Sequence, residues 1–139
     1  MGQVFVRLTI TNALDEGRAS EGDISPSDVR SVVVEDVMVD TGASHLCLPA
    51  NVIRALGLKP DRDAVVETAS GITPTRIFLN ARISIEGRSA TMECLELPEG
   101  TRPLLGAIPM QSLGVEPDLT NHRLRLLPEG PTHSYLMAL

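Results

Sequence analysis

The chain has no tryptophan, one tyrosine and two phenylalanines among 139 residues. Binders of single-stranded nucleic acid stack bases on aromatic side chains, and nucleic-acid binders in general carry a basic patch. Neither is present, since 12 Lys and Arg face 18 Asp and Glu for a net charge of −6, and nucleic acid is excluded as a partner. Cysteine is equally scarce. Cys47 and Cys94 are too few for a disulfide framework, and with His45, His122 and His133 they make no ligand spacing, so no metal site is expected. Both sit among leucines (Leu46, Leu48; Leu95, Leu97), which reads as buried free thiols. No apolar run approaches the ~18 residues of a membrane span. The start, Met1-Gly2-Gln3-Val4-Phe5-Val6-Arg7, lacks the basic and apolar regions of a secretory signal, and Val6 replaces the Ser or Thr that myristoylation requires. A cytoplasmic protein is the expectation.

What remains is an ordinary globular composition, 42% apolar and 22% charged, long enough for one domain with its own core. Residues 3–11 alternate, with Val4, Val6, Leu8 and Ile10 on one face, and predict a half-buried strand. Residues 13–30 are rich in Asp, Glu, Gly, Ser and Arg and read as a long surface loop. A second strand follows over 32–39. Residues 48–57 predict a short helix with Pro49 in its first turn and Gly57 as its stop. Stretches 64–69 and 72–79 meet at Ser70-Gly71 as a hairpin, and 81–86 and 89–97 form another through Gly87-Arg88. Leu104-Leu105-Gly106 precedes a small helix over 109–113, and 123–127 is a last strand. Many short strands with two small helices indicate an all-β barrel.

One segment carries chemistry. The strand over 32–39 delivers Asp40-Thr41-Gly42-Ala43-Ser44, an acid at the end of an apolar run on a Thr-Gly turn. Desolvating an acid there is costly, and sequences that keep one usually need it for reaction. Asp36 lies four residues earlier, which in a regular strand sets it on the same face ~13 Å away, too far to act with Asp40. His45 beside the loop reads as a hydrogen-bonded neighbour rather than a general base.

With these residues in view, the chain resembles the retropepsin-like, single-domain aspartic proteases, in particular the small bacterial branch of that clan. The resemblance is carried by Val37-Met38-Val39-Asp40-Thr41-Gly42-Ala43-Ser44, then Leu48-Pro49 and Leu56-Gly57-Leu58. It continues through the hairpin at Ser70-Gly71 to Leu104-Leu105-Gly106, Ile108-Pro109 and Leu113-Gly114. It implies a closed acid-protease β-barrel over residues 1–128 with one or two short helices, a C-terminal tail at 129–139, and a two-fold homodimer. It implies an aspartic endopeptidase acting on polypeptides, with Asp40, Thr41 and Gly42 catalytic and no cofactor. Because the motif occurs once, the second carboxylate must be the Asp40 of a second copy. Ala43 and Ser44, the hairpin tip Ala69, Ser70, Gly71 and Ile72 (a flap over residues 67–76), and Ile108 are the implied substrate contacts. A catalytically silent module of the same fold is the rival implication.

Two departures from the viral members matter, and one from the two-lobed members. Ser44 stands where they usually carry an acid, and Ala107 where they carry an arginine; both halves of that ion pair are missing together. Ala43 cannot donate to a carboxylate as the Ser or Thr of many two-lobed members does, so a mildly acidic optimum is expected. No separate N-terminal strand precedes the first one, so residues 115–127 are expected to supply the dimer sheet.

Overall fold

The computed structural model describes residues 3–128. Its strands are β1 (Phe5–Asn12), β2 (Ser31–Val39), β3 (Leu46–Pro49), β4 (Lys59–Thr68), β5 (Gly71–Ile85), β6 (Arg88–Leu97), β7 (Leu104–Leu105), β8 (Val115–Asp118) and β9 (Arg123–Leu126). Its helices are α1 (Ala13–Ser20), α2 (Ala50–Leu56) and α3 (Ala107–Leu113), with a 3-10 turn at Pro26–Asp28. The fold is mostly β. Seven strands run in the order β1-β2-β7-β3-β6-β5-β4, and a further β1–β5 pairing joins the sheet back on itself, leaving β4 on an outer flank. Closure is uneven: β7 contributes two residues, parallel to β2 and antiparallel to β3. The interior is aliphatic, with Leu8, Ile10, Leu46, Leu48, Ile83 and Leu105 sealed from solvent.

Two bulges shape this sheet. Opposite Arg7, β2 carries both Glu35 and Asp36, and Asp36 has φ 54. The extra residue resets the alternation, so Val34 and Val37 both face inward. The even spacing behind the expected common face of Asp36 and Asp40 is therefore broken; Asp36 is an exposed bulge residue. On β5, Phe78 pairs with Cys94 and Ala81 with Met92, leaving an extra residue near Asn80 (φ 70). The kink lets one strand change partners, from β4 up to Leu79 to β1 from Ala81 onward. The two stretches read as separate strands, 72–79 and 81–86, are one bent strand.

The expected loop over 13–30 is corrected to α1 plus the 3-10 turn. Asn12 caps α1 by accepting the Asp15 N–H, and Asp15, Glu16 and Arg18 have the signs that suit its two ends. Asn12 also donates to the Leu56 carbonyl at 2.8 Å, which fastens α1 to α2. Asp15, only 4% exposed, takes Nε and Nη2 of Arg30 at 2.8 and 3.0 Å and the Arg30 backbone N–H at 3.0 Å. Arg30 in turn covers Gly57, where a Cβ would fall 1.9 Å from Nη1 and push the guanidinium aside, and where φ of +64 favours glycine.

The Arg30 side chain holds the Asp15 carboxyl down at about 2, against the opposing pull of burial. A depressed folded-state value means the contribution to stability is complete above the unfolded-state value and is lost as pH falls through the folded one. Asp15→Asn is therefore expected to lower stability at pH 7 by about 2 kcal/mol. The gap from the parent should close between about pH 4 and pH 2, measured by urea unfolding at each pH.

The helix expected over 48–57 begins later. Leu46–Pro49 forms β3, buried on both faces between β6 and β7, and Pro49 caps α2 instead of occupying its first turn. The helix expected over 109–113 starts at Ala107, and three α-helices replace the one or two anticipated. The β5–β6 turn is centred on Glu86-Gly87, both at positive φ, one residue before the expected centre. Strands β8 and β9 form a separate two-stranded sheet. It is anchored by Val115 and Leu124 in the core and by Arg88, which donates to the carbonyls of Gly114 and Leu127. The tail expected at 129–139 lies outside the described residues.

Candidate active site

Strand β2 ends at Val39, and the chain turns at Asp40 while still tied to β7: the Asp40 N–H donates to the Leu105 carbonyl at 3.0 Å. The next turn folds onto the acid itself. Gly42 N–H donates to Asp40 Oδ1 at 2.9 Å, and Ala43 N–H to the Asp40 carbonyl at 3.1 Å. A Cβ on Gly42 would lie 3.2 Å from that carboxylate oxygen, so the smallest residue gives the closest backbone approach. Asp40 is half-buried, and Thr41 and Gly42 are exposed.

A second loop clamps the first. Gly106 N–H donates to the His45 carbonyl, Ala107 N–H to that of Ala43 and Ile108 N–H to that of Ser44, at 3.1, 2.8 and 2.9 Å. The contact is tight, because a Cβ on Gly106 would meet the Ala43 and His45 carbonyl oxygens at 2.6 Å. The structure thus brings Asp40, Thr41, Gly42, Ala43, Ser44 and Ile108 together. Ala69, Ser70, Gly71 and Ile72 lie at the exposed end of the β4–β5 hairpin, with Ile72 73% exposed.

The hairpin is linked to the loop lower down, through residues whose pairing the sequence did not reveal. Ser44 Oγ lies 2.7 Å from His45 Nδ1, and His45 Nε2 lies 3.1 Å from Glu93 Oε2 on β6. Arg62 on β4 binds the same Glu93 oxygen at 3.0 Å and reaches Asp61 at 2.6 Å. Arg62, with His45 assisting, holds the Glu93 carboxyl below its ordinary range against partial burial. Behind the loop, Cys47 and Cys94 are free and buried, as expected. Burial raises Cys47 to about 11, with the Asp40 charge adding to it, and burial raises Cys94 to about 12, so both stay protonated thiols.

Two clefts on the described surface stand out. One of about 850 Å³ lies between the β1–β2 bulge and β9 and is lined by Arg7, Asp36, Arg123 and Arg125. The other, of about 630 Å³, lies beside the β4–β5 hairpin. Neither includes Asp40. Among the described residues, no group of three or more His, Cys, Asp or Glu side chains is placed to hold a metal. No helix there is long and apolar enough to cross a membrane.

The candidate site is thus an acid on a Thr-Gly turn, clamped by an apolar-apolar-Gly loop in a mostly β fold. A family model described as aspartyl protease matches residues 22–115, and the chain belongs to that family. No curated protein matches it. The match ends at Val115, so the β8–β9 hairpin lies almost wholly outside the matched segment.

Proposed function

We propose that the chain is an aspartic endopeptidase acting as a two-fold homodimer, with the Asp40 of each subunit forming one catalytic pair. One observation carries this reading. The chain has a single Asp-Thr-Gly loop, and its acid stands half-exposed on the isolated subunit. A second copy facing the loop supplies the second carboxylate.

Two carboxylates on such an axis hold one proton between them, and aspartic proteases are themselves the standard example of this sharing. The ionised member draws a proton from a water between the pair, and that water attacks the scissile carbonyl. The protonated member donates to the developing oxyanion, and a proton then passes to the leaving nitrogen. This route asks for no metal or cofactor. Thr41 supports the pair by bonding to the facing loop. Ala69, Ser70, Gly71 and Ile72 close over the bound polypeptide, excluding water. Ala43, Ser44 and Ile108 form the floor, and the aliphatic Ile72 and Ile108, 73% and 46% exposed, favour apolar substrate side chains.

The β8–β9 hairpin is the proposed dimer element. It forms its own small sheet and shows Leu119 and Leu126 at 49% and 39% exposure. Deleting everything after Gly114 removes it but also strips Val115 and Leu124 from the core, so a point change is cleaner. Leu126→Asp is expected to raise the dimer dissociation constant at least about tenfold, and activity should fall with it at low protein concentration. Sedimentation velocity beside a cleavage assay checks this. A parent chain that is monomeric yet fully active would overturn the reading.

A further inference from the structure

The side chains behind Ser44 determine which hydrogen-bonding group the loop offers to a bound peptide. Glu93, held as a carboxylate by Arg62, only accepts. His45 Nε2, 3.1 Å from it, must then carry the imidazole proton. A neutral imidazole protonated at Nε2 has a bare Nδ1, which also only accepts. With His45 in that neutral tautomer, the serine is the donor in the 2.7 Å contact between Ser44 Oγ and His45 Nδ1. With its single proton engaged, the exposed Ser44 hydroxyl turns only lone pairs outward.

We propose that the Arg62–Glu93–His45 relay sets Ser44 as a dedicated acceptor for a backbone N–H of the polypeptide substrate, and that a second proton on His45 converts it to a donor. This rests on the endopeptidase reading above. In the viral relatives an acid stands at this position; here a neutral hydroxyl is given an acceptor's polarity by its neighbour. When the imidazole is doubly protonated, Nδ1–H donates to Ser44 Oγ and the hydroxyl hydrogen is released toward the ligand. The groups facing the imidazole are Glu93 from β6 and, through it, Arg62 and Asp61 from β4. On its own segment are Asp40 and the protonated Cys47 thiol. His45 touches no reacting atom and is a positioning residue. Because Arg62 lies on the strand that runs to the hairpin tip, the same relay joins the hairpin to the loop.

The test uses the full chain carrying Asp40→Asn, so that peptide binding is read without cleavage. The probes are a synthetic octapeptide, apolar about its central bond, and analogues in which one backbone N–H at a time is replaced by an ester oxygen. One analogue is expected to bind roughly three- to tenfold more weakly than the parent peptide. That difference should vanish in the Asp40→Asn/Ser44→Ala chain, and again in acid once imidazole 15N spectra show both His45 nitrogens protonated. At neutral pH the same spectra should place the proton on Nε2 alone, and Glu93→Ala should release a mixture of tautomers. A proton on Nδ1 at neutral pH, an ester penalty indifferent to the Ser44 hydroxyl, or no octapeptide binding would each overturn the proposal. Absence of hydrolysis by the parent chain, with the tautomer and ester pattern as expected, would remove the endopeptidase reading and leave this one standing.

Discussion

Asparagine in place of Asp40 is expected to lower peptide-bond hydrolysis by roughly 10³-fold or more while the fold persists. The two halves of that expectation have separate causes. The loop survives because its local bond needs only an acceptor: Asp40 Oδ1 takes the Gly42 N–H at 2.9 Å, and an amide oxygen takes it equally well. The backbone ties, from Asp40 N–H to the Leu105 carbonyl and from Ala43 N–H to the Asp40 carbonyl, do not involve the side chain. Chemistry does not survive, because an amide neither removes a proton from water nor returns one to a leaving nitrogen. The check is turnover of an unfolded protein over a range of pH, beside thermal unfolding of the same preparations. Full activity in Asp40→Asn would show that Asp40 is only a turn residue.

The second large effect is at Gly106, where the expected loss is of stability as well as activity. Its φ of −88 is open to any residue, so the demand is for space alone. An added methyl would sit 2.6 Å from two backbone oxygens and 2.8 Å from the Ala43 carbonyl carbon. Backbone cannot swing away as a side chain tip does. Either the clamp between the loops opens, breaking the bonds from Gly106, Ala107 and Ile108, or the strain stays. We expect Gly106→Ala to cost about 3–5 kcal/mol by urea unfolding, and any folded fraction to be inactive because Ser44 and Asp40 ride on the displaced loop. Gly17→Ala is the matched control. Nothing lies within 4 Å of that position, and it is inside α1, so the same substitution should stabilise by about 0.5–1 kcal/mol. Equal effects at the two glycines would contradict the packing account.

These two positions also mark what a reader of the sequence could find. Asp40 and Gly106 were legible because each follows an apolar run and each begins a turn, a pattern confined to a few consecutive residues. Helix α1 was not legible. Its composition is that of a loop, with Gly17 in its middle, and it is held by contacts to distant residues, Asn12 to Leu56 and Asp15 to Arg30. Strand β3 was hidden for the opposite reason. Buried on both faces, Leu46-Cys47-Leu48-Pro49 shows no alternation and merges with the helix after it. The bulges at Asp36 and Asn80 escaped because they depend on pairing between strands, although the break at Asn80 did show as a gap between two β-like stretches. His45 was rightly read as a hydrogen-bonded neighbour. Its partner Glu93 comes from another strand and is anchored by Arg62 from a third, so no local spacing announced the relay.

The most direct measurement mixes parent and Asp40→Asn chains at fixed total concentration, after the subunits have had time to exchange. If each site is built from two Asp40 side chains, activity follows the square of the parent fraction, so an equal mixture retains about one quarter of full activity. A straight-line decline, with about one half remaining in the equal mixture, would mean that each subunit carries a complete site and would contradict the account.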